Sequence, residues 1–177
     1  MADIEPEMAL ALPDSEATAL LGTALAGGFP GAGESSAALY LEGDLGAGKT
    51  TCARALLRAL GVRGLIRSPT YTLVETYRLE GRQPSLTGVH VDLYRLAGAA
   101  AVDELGLRDF MAPGHLFLIE WPDRGAGALP GADLELTLEL APPGRLARLR
   151  ARSERGSMWL RNLRSDTRLG SYLYNLT

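Results

Sequence analysis

The chain of 177 residues is short of several things, and each shortage excludes something. It has one cysteine, Cys52, so neither an internal disulfide framework nor a multi-cysteine zinc site can be built. No apolar run approaches the ~20 residues that a membrane-crossing helix needs. Residues 1–12 are acidic, with no basic stretch ahead of an apolar core, so no secretory signal is expected and a cytoplasmic location is. Basic residues are no more plentiful than acidic ones, and the net charge is −3. A global positive field for nucleic acid is therefore missing, and any RNA would be held by something else. Lysine is the scarcest cation. Of 18 basic residues 17 are arginine, and the single lysine is Lys49. A composition that uses arginine everywhere else needs something at position 49 that arginine cannot supply.

What is present suits one globular domain. Hydrophobic residues make up 46% and charged residues 22%, ordinary values for a folded chain with a sizeable core. Residues 1–12 read as a loose leader. Pro13-Asp14-Ser15 is a helix start, and Glu16–Ala26 carries apolar residues at helical spacing. A glycine- and serine-rich loop over 27–36 leads to a short apolar strand at 37–41. The glycine-rich stretch 43–48 precedes a helical pattern over 49–60. Strands are expected at 73–79, 89–93, 116–121, 133–140 and 146–151, with a short helix at 99–105 and a turn at Pro142-Pro143-Gly144. Strands first alternate with helices and then follow one another. That order predicts an α/β fold: a three-layer domain over 1–155 whose central sheet mixes parallel and antiparallel strands. Residues 156–177 read as a C-terminal tail, frayed or forming a short helix.

Gly43-Asp44-Leu45-Gly46-Ala47-Gly48-Lys49-Thr50 matches G-x-x-x-x-G-K-[ST] at every fixed position, between an apolar strand and a helix. Glycines let successive backbone N–H groups point inward at a polyanion, and the helix start adds its dipole. Lys49 supplies a compact, mobile cation where a planar guanidinium fits poorly. The Thr50 hydroxyl is a ligand for Mg²⁺. Such a site needs a carboxylate at the end of another core strand. Two acids qualify: Glu120 after Leu116–Ile119, and Asp92 after Val89–Val91. Ser68-Pro69-Thr70-Tyr71-Thr72 is either a loop whose threonine senses the γ-phosphate or an ordinary proline turn. His90 lies on a strand and His115 at a Pro-Gly turn, and neither is taken as catalytic. Trp121 is either a neighbour of the nucleotide or a half-buried core ring. Cys52 is a packing residue. A guanine-reading Asn-Lys-x-Asp cannot exist with no second lysine, so ATP is favoured over GTP. A small-molecule kinase remains a rival, with arginines 145, 148, 150, 152 and 155 as a conceivable lid. So does an interaction module whose hydrolysis is incidental.

The segments 43–51, 68–75, 90–96 (His-Val-Asp-Leu-Tyr-Arg-Leu), 104–109 (Glu-Leu-Gly-Leu-Arg-Asp) and 119–122 (Ile-Glu-Trp-Pro) together resemble the TsaE (formerly YjeE) family, over about residues 12–150. The resemblance implies a P-loop NTPase domain that binds ATP or ADP with Mg²⁺. It implies Thr50 and Glu120 as metal ligands, and Asp92, Glu120 and Lys49 as catalytic residues. ATP would be bound by Ser15, Gly43, Leu45, Gly46, Ala47, Gly48, Lys49, Thr50, Thr51 and Gly144, with Ser15 and Gly144 at the adenine end. Ser68 and Thr70 would belong to a switch. Hydrolysis, weak alone, would reset a complex with TsaB and TsaD that makes threonylcarbamoyladenosine at position 37 of tRNAs reading ANN codons, with tRNA met only through that complex. Val91, Cys52 and Ile66 depart from the family's usual apolar residues without touching the chemistry. The stretch 83–88 is irregular beside the family's tight turn.

Overall fold

The computed structural model describes residues 7–80 and 85–174. Seven strands form one sheet in the order β1-β7-β6-β2-β5-β4-β3. They are β1 (Glu7–Leu12), β2 (Ala37–Glu42), β3 (Val74–Leu79), β4 (Leu86–Asp92), β5 (His115–Glu120), β6 (Leu134–Ala141) and β7 (Gly144–Ala151). The middle four, β6, β2, β5 and β4, run parallel. The outer pairings, β3 with β4, β6 with β7 and β7 with β1, are antiparallel. The mixed sheet expected from the strand and helix order is therefore present.

Apolar periodicity explains the layers. Helices α1 (Ser15–Gly28), α2 (Lys49–Ala59) and α3 (Glu154–Arg164) share one face of the sheet. Leu21, Leu25, Leu56 and Leu57 are fully buried there against Leu39, Leu118, Leu136 and Leu149. Asp14 caps α1, accepting a 2.8 Å hydrogen bond from Ala17 N, which satisfies one of the four orphan N–H groups of a helix start. On the other face, 3₁₀ segments at Ala99–Leu105, Leu107–Phe110 and Pro122–Gly125 cover β2, β5 and β4. Val102, Leu107 and Leu96 pack there on Val89, Val91, Phe117 and Ile119. The β6–β7 hairpin keeps Glu139 and Arg148 on this second face as an exposed ion pair. Of the five arginines conceivable as a lid, Arg145, Arg148 and Arg150 lie on strand β7, Arg152 pairs with Glu135 and Arg155 with Asp133.

At the ends, one expectation changes and one narrows to a single form. Residues 7–12, read above as part of a loose leader, form the edge strand β1, with Met8, Leu10 and Leu12 buried. Residues 1–6 lie outside the described residues. The segment from 156, read as a tail either frayed or forming a short helix, takes the helical form: it continues α3 and then a 3₁₀ turn at Thr167–Tyr172. Trp159 is fully buried, its Nε1 donating to Leu25 O at 2.8 Å and its ring tilted on Phe29 at 4.8 Å. Of the irregular stretch at 83–88, residues 83 and 84 lie outside the described residues, and 86–88 begin β4. No helix among the described residues is long and apolar enough to cross a membrane.

Candidate functional site

β2 and α2 are joined by the glycine-rich loop, and the parallel neighbours β5 and β4 end beside it. Register makes this automatic: Leu41 pairs with Glu120, and Glu120 pairs with Asp92. Side chains alternate along a strand, so Glu120 and Asp92 leave their strand ends towards α2. A cavity of about 210 Å³ results, lined by Leu45, Gly46, Gly48, Lys49, Thr50, Thr51, Thr70, Asp92, Tyr94, Glu120 and Trp121. Most residues expected at the nucleotide are brought together here. Ala47 is fully buried and backs the loop rather than lining the cavity. Gly48 is the cap of α2, with φ +108°, a conformation an L side chain rarely takes. A Cβ there would also lie 3.1 Å from Thr18 Cγ2 and 3.2 Å from Arg145 Nη1.

Lys49 is buried, with 5% of its surface exposed. Its Nζ donates to Gly43 O at 2.6 Å and Asp44 O at 2.9 Å, and stands 4.1 Å from the centre of the Trp121 ring. Burial lowers the Lys49 pKa, while the carboxylates of Glu120, Asp92 and Asp44 oppose that shift. Trp121 reaches its place because its backbone is left-handed, φ 58°. For a bulky residue that costs on the order of 1–3 kcal/mol. The turn sends the indole back over the loop, tilted on Tyr94 at 5.0 Å.

Two acids are held differently. Glu120, 2% exposed, takes hydrogen bonds from Thr50 Oγ1 at 3.0 and 2.9 Å. Asp92, 4% exposed, takes one from Tyr94 N at 3.0 Å and one from Thr70 Oγ1 at 3.3 Å. Thr70 is itself 2.7 Å from Ser68 Oγ. Asp92 N bonds Leu73 O at 3.0 Å, and the Arg95 guanidinium lies 4.4 Å from the Tyr71 ring. The loop over 68–73 is therefore tethered to the end of β4 by side chains as well as backbone. Thr50 and Glu120 together present hydroxyl and carboxylate oxygen, the hard donors that Mg²⁺ accepts alongside phosphate. The residues present fit that ion.

Ser15 and Gly144 do not line this cavity. Ser15 opens α1 on the exterior. Gly144 lines a separate, largely apolar pocket of about 350 Å³ with Leu12, Pro13, Pro143, Arg145, Leu146 and Tyr174. Arg145 connects the two regions. It donates to Thr18 Oγ1 at 2.6 Å and stands next to Gly48.

His90 is a site residue the sequence reading passed over. It is fully buried, and its Nε2 lies 2.8 Å from Glu120 Oε1. The signal was its spacing: two residues before Asp92 on one strand, it faces the same side of the sheet. Cys52 is also fully buried here, its thiol pKa pushed up to about 12 by burial and then by Glu120. His115 stays apart, with Nδ1 3.1 Å from Ala112 O.

Comparisons with known proteins converge. The model of a family described as threonylcarbamoyl adenosine biosynthesis protein TsaE matches residues 12–147. A protein of Haemophilus influenzae named tRNA threonylcarbamoyladenosine biosynthesis protein TsaE is 41% identical over 123 residues, covering 70% of this chain and 75% of the relative. A Synechocystis protein of the same name is 40% identical over 124 residues, covering 68% and 73%. The crystal structure of Bacillus subtilis YdiB superposes with a TM-score of 0.69 at 25% identity, over 92% of this chain and 97% of that one.

Proposed function

The chain belongs to the TsaE family of threonylcarbamoyl adenosine biosynthesis proteins, and from that membership we propose that it is the Mg²⁺-dependent ATPase of tRNA threonylcarbamoyladenosine formation. The observation that carries the ATPase reading is the meeting of Thr50 and Glu120 over the phosphate loop, with Asp92 lining the same cavity.

In this reading each residue of the cavity takes a role that its position supports. Backbone N–H groups from Gly43 to Thr51 cradle the phosphates, and Lys49 leaves its two loop carbonyls to pair with the terminal phosphates. Thr50 and Glu120 would hold magnesium. That ion would supply neutralisation of the charge on the phosphates. Asp92, fixed by Tyr94 N and Thr70, orients the attacking water. Thr70 and Ser68 form a switch, because the contact that holds their loop ends on the acid that faces the γ-phosphate. Adenine lies towards Ser15 and the apolar pocket at Gly144, where stacking and burial replace charge. Leu45, which lines the cavity, is 70% exposed, and Tyr71, next in sequence to the cavity-lining Thr70, is 82% exposed; through them nucleotide state can be read by another protein.

Partners complete the reading. The chain acts with TsaB and TsaD, its hydrolysis resetting the complex between rounds of modification at position 37 of tRNAs reading ANN codons. A net charge of −3 leaves tRNA to be held by the partners. The test is ATP turnover by the pure protein, then with TsaB, TsaD and tRNA, beside a panel of small phosphate acceptors. Slow turnover alone, with tRNA modification that requires this chain, is expected. Phosphorylation of a small acceptor with no partner effect would overturn the proposal in favour of a kinase.

A further inference from the structure

One buried polar side chain in contact with Glu120 has no part in the mechanism above. His90 is completely buried on β4, beside Glu120 on the neighbouring strand β5. Its Nε2 is 2.8 Å from Glu120 Oε1. Its Nδ1 is buried with no hydrogen-bond partner among the described residues. A carboxylate oxygen only accepts, so the ring hydrogen sits on Nε2. One imidazole nitrogen is thus committed and the other bears a burial cost with nothing returned. A side chain kept for packing alone has no reason to carry that cost, since an apolar residue would fill the same space.

We propose that His90 is the positioning residue of Glu120: its Nε2–H fixes the carboxylate in the rotamer that meets Thr50, so that both oxygens are not free to swing. This rests on the reading of Thr50 and Glu120 as the magnesium site. Glu120 has two calls on it, from opposite sides. Thr50 approaches both oxygens at 3.0 and 2.9 Å, and His90 holds Oε1 from the strand alongside. When Thr50 turns from the carboxylate to a metal ion, His90 is the contact that stays. Partners that hold a ligating side chain in this way typically contribute 10–100-fold to metal affinity or activity.

The two nitrogens suggest the variants. Glutamine places its amide nitrogen near the position of Nε2 and can still donate to Glu120. Asparagine reaches only as far as Nδ1, which holds nothing. The readout is binding of a fluorescent ADP, first in EDTA and then across a magnesium titration, with ATP turnover measured alongside. His90→Asn is expected to raise the magnesium concentration at half effect by about tenfold or more, with ADP affinity in EDTA unchanged. His90→Gln is expected to stay within about threefold of wild type. A purely structural role would lower the stability of both variants and leave both magnesium midpoints in place, and that result overturns the proposal. So do equal shifts in the two variants. If His90→Asn fails to fold, His90→Gln decides alone, a shift of about tenfold or more counting against the proposal. Wild-type protein whose ADP affinity and turnover ignore magnesium would instead overturn the metal site itself, and is distinguishable because no variant is needed to see it.

Discussion

Thr50 Oγ1 reaches both carboxylate oxygens of Glu120, at 3.0 and 2.9 Å, although the two residues are 70 apart in sequence. The parallel pairing of β2 with β5 makes the contact, because it aligns Leu41, two residues before the loop, with Glu120. Glu120→Ala is expected to cut magnesium-dependent ATP turnover by at least about 100-fold, on the scale of losing a well-placed charge-stabilising group. Nucleotide binding in EDTA should survive, since the cradle of backbone donors is untouched. Normal turnover in Glu120→Ala would remove Glu120 from the metal site.

Lys49 tests the phosphate cradle. Its ammonium already has two acceptors in the loop, Gly43 O at 2.6 Å and Asp44 O at 2.9 Å, with the Trp121 face above it. Hydrogen bonds to charged groups contribute about 1.5–3 kcal/mol each. Loss of two such bonds to phosphate is on the order of 100-fold or more in affinity. Lys49→Ala is expected to show that loss by isothermal titration with ADP. Lys49→Arg should show most of it too, because the planar guanidinium does not fit the closed loop. Arginine binding like lysine would mean that the chain's single lysine has no steric reason.

The loop, the parallel core and the hairpin were legible because their signals are local: glycines with a lysine, apolar runs of strand length, a Pro-Pro-Gly turn. What was misread or left open shares one cause, a partner distant in sequence. β1 is defined by pairing with β7, Met8 opposite Leu149 and Leu10 opposite Ala147, and nothing within residues 7–12 announces it. α3 was obscured by Gly156, a poor helix residue. Tertiary packing requires it: a Cβ there would lie 1.7 Å from Asp133 O. His90 was passed over because its meaning lies in Glu120, on another strand.

The loop over 68–73 should respond to nucleotide. Arg67 is exposed beside it, and Thr70 anchors the loop to Asp92 at 3.3 Å. Cleavage by trypsin after Arg67 reports local opening. A non-hydrolysable ATP analogue with magnesium is expected to slow that cleavage in wild type several-fold more than ADP does. In Thr70→Ala the two nucleotides should protect alike. If they protect wild type equally, the segment is an ordinary proline turn.

Stability should fall on the alkaline side. Burial, then Glu135 and Glu42, pushes the Tyr40 hydroxyl from 10.0 to about 12. Burial and Glu120 push the Cys52 thiol from 9.0 to about 12. In both cases the folded state keeps its proton longer than the unfolded chain does. The contribution is therefore fully present below pH 9 and is lost as pH rises towards about 12. Urea midpoints should be level up to about pH 8 and then decline, with a shallower decline in Cys52→Ala. Native Cys52 should also resist maleimide at neutral pH, as a buried protonated thiol does. Rapid labelling without unfolding would contradict its burial.

The C-terminal helix is expected to be required for folding. Trp159 fills the space between α1 and the sheet, bonded to Leu25 O at 2.8 Å and tilted against Phe29 at 4.8 Å. Ser153 and Arg155 add bonds to Asp133 at 2.6 and 3.1 Å, and Asp133 in turn accepts from Ala38 N at 2.9 Å, at the start of β2. Truncating Trp159 to alanine removes a ring and strands Leu25 O, a loss of about 3–5 kcal/mol. A domain of this kind holds only about 5–15 kcal/mol in total. Trp159→Ala should therefore lower the urea midpoint markedly without changing ADP affinity in the fraction that remains folded, because the site lies at the other side of α1. A chain ending at Arg152 should not fold cooperatively. Wild-type stability in either variant would show that the segment after β7 is an appendage, and that the core closes without it.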